Sequence, residues 1–174
     1  VARHPYILLL LLFYAVAGTA SGLSAASLAG PASGELAAFF EALPGGAYRV
    51  LPAFIRSAAL NLLLYCLAYL PRLWPPLLLI GGLCVFIKGF CMGISLHCLL
   101  LELGLRGLAL GVPLCVLPAI FCIAALSLRI LADAKDQTGP MHGGLSFRSL
   151  GFLALCVLLE SAAAPVALRV WLIK

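Results

Sequence analysis

Two residues of this sequence stand where a charge is expensive. Lys88 lies inside the apolar run 77–101, and Glu160 lies inside the run 150–169. An ammonium and a carboxylate in such places can do one of two things. They can neutralise each other and so fix the register of the segments that carry them, or they can form part of a proton or ion path. Lys88 is 11 residues from Leu77. At ~1.5 Å per residue its backbone is ~16 Å deep, near the midplane of a ~30 Å hydrocarbon core. Lysine snorkels only a few Å, and an uncompensated charge at that depth costs at least ~3 kcal/mol. Glu160 is 10 residues from Leu150. In a path of five spans the third and fifth run in the same direction, so the two depths match. Glu102 is no rival partner, because it stands 14 residues beyond Lys88 on the same helix, ~21 Å away.

The surroundings of Lys88 suit burial. Gly81, Cys84, Cys91 and Ser95 flank it at helical spacings, and Gly89 with Gly93 adds a GxxxG step for close helix approach. On the last span Ala163, Ala164 and Ala167 share the Glu160 side and leave room for a neighbour. The third strong polar candidate is Asn61, which in an apolar helix bonds across to another helix. Transporters usually carry more polar lining and broken helices, so this set favours the register-fixing role.

Composition bounds what must position these groups. The chain of 174 residues is 64% hydrophobic and only 10% charged, with a mean hydropathy of +1.18. A soluble domain of this length needs far more polar surface, so the expectation is a single all-α integral membrane domain over 1–174. The net charge of +5 is dispersed and forms no basic stripe with interleaved aromatics, which excludes nucleic acid as a partner. Membrane lipid is the partner composition does imply. The seven cysteines all fall in apolar stretches with no CxxC, and His4, His97 and His142 are scattered. No metal or cofactor is expected. Cys84, Cys91 and Cys98 recur every seven residues, as small apolar packers do.

Taken in order, the chain reads as about five spans at 6–28, 52–70, 77–101, 108–128 and 150–169. The first contains the pair Gly18 and Gly22, suited to packing, and is expected to remain uncleaved despite an Ala15-Val16-Ala17 triplet. Residues 30–51 form an amphipathic segment with Phe39 and Phe40 on its apolar side, ended by Pro44-Gly45-Gly46. The turn around Pro71, Trp74, Pro75 and Pro76 leads into the third span, and Glu102 to Gly107 make a short exit loop. Pro113 and Pro118 kink the fourth span. Residues 129–149 form the clearest polar loop, with Arg129, Asp133, Lys135 and Asp136. Counting basic residues on alternate sides gives five against five, which leaves orientation open.

No catalytic arrangement is present in the sequence. There are no paired carboxylates, no GxSxG, no HExxH and no Gly-rich phosphate loop. An enzyme is not expected.

Phe86-Ile87-Lys88-Gly89 with Gly93, Leu117-Pro118, Ala125 to Leu128 followed by Arg129, then Glu160 and Pro165, occur in an order that resembles the stage II sporulation protein M family. The Gly18 and Gly22 pair fits as well. The resemblance covers most of the chain through short, mostly apolar motifs. It implies a five-span helical protein of an endospore-forming bacterium, in the cytoplasmic membrane at the sporulation septum, with its N-terminus in the cytoplasm. It also implies a non-enzymatic scaffold that anchors two cell-wall hydrolases, an amidase and a lytic transglycosylase, during septal thinning and engulfment. Lys88 and Glu160 would be the family's intramembrane charges. One departure stands out: broader relatives place His or Glu just after the fourth-span proline, whereas Ala119, Ile120, Phe121 and Cys122 follow Pro118 here.

Two function classes follow, a membrane scaffold for wall-remodelling enzymes and a small permease or transporter subunit. For the scaffold, Phe39, Phe40 and Tyr48 are the expected docking anchors, since aromatic residues dominate such contacts. Membrane-surface anchoring is their alternative use, and homo-oligomerisation is left open.

Overall fold

A computed structural model describes residues 4–29, 50–69, 78–136 and 147–163. Every regular element among them is helical. The order is α1 (His4–Ala29), α2 (Val50–Leu67), α3 (Leu78–Leu103), α4 (Leu105–Gly111), a π-helical turn (Val112–Val116), α5 (Leu117–Asp136), α6 (Phe147–Leu158) and a second π-helical turn (Leu159–Ala163). The segment 30–49, with the docking anchors Phe39, Phe40 and Tyr48, lies outside the described residues, as does the turn at 70–77.

Among the described residues, three helices are long and apolar enough to cross a membrane: Tyr6–Leu28, Leu79–Leu101, and Leu105–Leu131, the last running through the first π turn. α2 carries a shorter apolar stretch, Phe54–Leu67. α1 presents Leu8, Leu9, Leu12, Phe13 and Val16 outward along its length. A strip of that kind exceeds what soluble monomers leave in water, and it matches a helix bathed in lipid.

α1 and α3 interlock through their glycines. A Cβ built on Gly18 would overlap the Phe86 carbonyl, and one on Gly22 would overlap the Phe90 carbonyl. The reverse also holds: a Cβ on Gly89 would stand 2.6 Å from the Ala15 carbonyl oxygen, and one on Gly93 would overlap the Thr19 carbonyl. Each helix therefore offers a GxxxG groove to the other's backbone. In lipid, where the hydrophobic effect does not drive helices together, such close approach is the source of association.

The core lies where α2, α3, α5 and α6 meet. Val85, Cys84, Cys122, Ala125, Leu126, Ile130 and Cys156 are buried there with Ala68. Small alanine and cysteine side chains let the four helices approach closely. At one end the Tyr65 hydroxyl lies 2.7 Å from the Ser149 hydroxyl, joining α2 to α6. Nearby, the Arg129 guanidinium sits 4.4 Å from the centre of the Tyr69 ring.

Two expected loops are corrected. The exit loop over 102–107 shrinks to one residue, since α3 continues to Leu103 and α4 begins at Leu105. Gly104 alone breaks the helix, at φ 58°, a conformation that side chains with a Cβ disfavour. Gly107 then lies against the Leu99 carbonyl, which lets the chain fold back tightly on itself. The polar loop set at 129–149 also begins too early, because α5 runs on to Asp136. No Gly or Pro interrupts the sequence between Pro118 and Gly139. Arg129 is buried at 3% exposure, its charge set over an aromatic face, and Ile130 beside it is fully buried. In the fourth span the prolines act through a widened turn. Pro113 falls at the start of the π turn, whose Leu117 N–H donates to the Val112 carbonyl five residues back.

Candidate functional site

The centre of the bundle holds one connected polar group. Lys88 projects from α3 and Glu160 from the second π turn, and the Lys88 Nζ forms an ion pair with Glu160 Oε1. Lys88 also donates to Asn61 Oδ1 at 3.0 Å. Asn61, from α2, donates its amide to Glu160 Oε2 at 2.7 Å. Ser57, one turn earlier on α2, donates to the same oxygen at 2.6 Å. On the other side the Cys122 thiol of α5 donates to Asn61 Oδ1 at 3.3 Å. Four helical segments thus converge on one salt bridge, whose side chains are 14% and 24% exposed.

Local sequence explains the placement. Ser57 and Asn61 are four residues apart and share a face of α2, and the Asn61 amide also contacts the Ser57 carbonyl at 2.9 Å. Glu160 sits within a π turn, where the wider backbone re-aims its side chain relative to a regular helix. The Ser161 hydroxyl donates to the Val157 carbonyl at 2.6 Å and so occupies that acceptor within the turn.

Electrostatics explains why the parts come together. A half-buried carboxylate among apolar side chains needs several donors, and among the described residues Glu160 receives three: the lysine, the amide and the serine hydroxyl. Such charge-assisted bonds offset much of the desolvation cost that a lone charge would carry.

No family model, curated protein or solved structure matches the chain. What the site can do is therefore read from its own atoms. Lys88, Glu160 and Asn61, singled out by type and depth, come together. Gly18, Gly22, Gly89 and Gly93 lie apart from them at the α1–α3 crossing. Pro118 is buried at the start of α5. Ser57 and Cys122 complete the site and were not singled out, although the i, i+4 spacing of Ser57 to Asn61 was the available signal.

A cavity of about 220 Å³ adjoins the pair, lined among others by Cys91, Ser95 and Cys115. The heptad cysteines are therefore not equivalent, since Cys84 is buried in the core whereas Cys91 faces this space. Among the described residues no group of three or more His, Cys, Asp or Glu side chains is placed to hold a metal ion.

Proposed function

We propose that this protein is a five-span, non-enzymatic membrane scaffold that holds peptidoglycan hydrolases at the sporulation septum for septal thinning and engulfment. The observation that carries the reading is the way the midplane charges are used. Lys88 and Glu160 engage each other and the neighbours Asn61 and Ser57 across three helical segments. A group so bound serves to hold α2, α3 and the end of α6 in one register. The resemblance to the stage II sporulation protein M family supports the partners, an amidase and a lytic transglycosylase. It also supports a cytoplasmic N-terminus, with 30–51 on the outer face where wall enzymes act.

The test is pull-down of the tagged chain from sporulating cells, combined with hydrolase localisation in cells carrying Phe39→Ala and Phe40→Ala at normal protein levels. Co-purification and lost recruitment support the scaffold; intact recruitment and engulfment reject these anchors. Five spans are read by impermeant thiol labelling of single cysteines at Ser33 and Thr138 in a cysteine-free chain. Only Ser33→Cys should label from outside, and labelling of both would reject the topology.

A second reading, a small permease or transporter subunit, is favoured by the cavity against the ion pair. Solute or ion flux in liposomes, abolished by Glu160→Gln with the fold intact, would replace the scaffold reading.

A further inference from the structure

The Lys88 ammonium has three hydrogens to donate. One goes to Glu160 Oε1 and one to Asn61 Oδ1. The third has no acceptor among the described residues. Leaving a donor of a largely enclosed cation unmet is costly, more so than for a neutral group, and the Lys88 side chain is only 14% exposed. Among the described residues Glu160 Oε1 accepts from Lys88 alone, so it too has accepting capacity left.

Both groups border the cavity of about 220 Å³ between α3, the first π turn and the second π turn. Its wall also carries the Ser95 hydroxyl, which donates to the Cys91 carbonyl at 2.9 Å and stands within hydrogen-bonding reach of the Cys115 thiol. A cavity holds water when it is roomy and offers each molecule two or more polar partners, and a water occupies ~30 Å³. This one meets both conditions. A dry cavity of equal size would be lined by aliphatic groups, whereas an ammonium, a carboxylate and a hydroxyl line this one.

We infer that the cavity beside Lys88 and Glu160 is a hydrated pocket, whose water accepts the third lysine hydrogen and joins the ion pair to an aqueous phase. The inference stands apart from the scaffold reading, since a hydrated pair can serve either a fixed bundle or a permeation path.

Two native cysteines report on the pocket. Cys91 and Cys115 line it, whereas Cys84, Cys122 and Cys156 are buried in the core. Ile87, one turn before Cys91 on α3, is also exposed, at 40%, but does not line the pocket. Thiolates form and react only where water reaches them. The probe is a small cationic methanethiosulfonate, added to the full-length chain in phosphatidylcholine–phosphatidylglycerol vesicles. The thiolate attacks its sulfenyl sulfur, forms a mixed disulfide and releases methanesulfinate. Three chains are compared, retaining only Cys91, only Cys115, or only a cysteine introduced by Ile87→Cys. Cys91 and Cys115 should react at least about tenfold faster than the lipid-facing control. Equal, slow reaction at all three positions would overturn the hydrated pocket. In the unaltered chain, peptide mass spectrometry reads the same order without any substitution. There, Cys91 and Cys115 labelled before Cys84, Cys122 and Cys156 support it, and labelling no earlier than those three refutes it.

Discussion

Lys88 and Glu160, 72 residues apart in sequence, share one ion pair whose two side chains are bridged by a single Asn61. The asparagine donates to the acid and accepts from the base, so it is polarised in the same sense by both charges. That arrangement makes the three residues one unit, and their substitutions should not act independently.

Removing one charge leaves the other buried without its counterion. Lys88→Met should destabilise the bundle by ~3–5 kcal/mol, and Lys88→Met with Glu160→Met by clearly less, since no uncompensated charge remains. Reversible unfolding in mixed micelles gives the double-mutant cycle. A double variant as damaged as the two singles added together would show that the pair is not coupled.

Asn61→Ala keeps both charges and removes one contact to each of them, together with the acceptor of the Cys122 thiol. The expected loss is ~1–3 kcal/mol, the cost of leaving buried polar atoms unmet. Ser57→Ala removes one bond to Glu160 Oε2 and the longer contact from the Asn61 amide at 3.2 Å, leaves the Lys88 contacts in place, and should cost less. The same unfolding measurement ranks the two, and a Ser57 effect larger than that of Asn61 would contradict the bridging geometry.

At the α1–α3 crossing the atoms nearest to a Cβ on Gly18 or Gly89 are backbone atoms of the opposite helix, which cannot yield as a flexible side chain does. Gly18→Ala and Gly89→Ala should each cost ~1–3 kcal/mol through forced helix separation. Gly151→Ala is the control: nothing among the described residues lies within 4 Å of a Cβ there, and alanine should be neutral or stabilising by up to ~1 kcal/mol. Equal tolerance at all three positions would contradict the interlocked crossing.

Arg129 is held over the face of Tyr69. Tyr69→Phe keeps an aromatic face and Tyr69→Leu does not. The leucine variant should be less stable than the phenylalanine variant by ~0.5–2 kcal/mol. Equal melting temperatures for the two variants would show that the ring face does not bear on Arg129.

By itself the sequence determined much of this protein. Long apolar runs with 10% charge make it helical and suited to lipid, because hydrocarbon demands that backbone groups bond within their own segment. Spacing by four marked Gly18 with Gly22 and Gly89 with Gly93 as contact faces, and counting along the runs put Lys88 and Glu160 at one depth. Tertiary structure decided the rest. Periodicity tells which face of a helix is special but not which helix it meets, so the mutual fit of Gly18 to Phe86 and Gly89 to Ala15 lay outside its reach. Ser57 and Cys122 look like ordinary small residues until α2 and α5 bring them to Glu160 and Asn61. Arg129 read as the start of a loop because a charge usually signals water, whereas in the fold it is buried in a helix with its guanidinium over Tyr69, 60 residues away. A charge is placed by the partner that offsets its desolvation, and that partner is fixed by packing between helices distant in sequence.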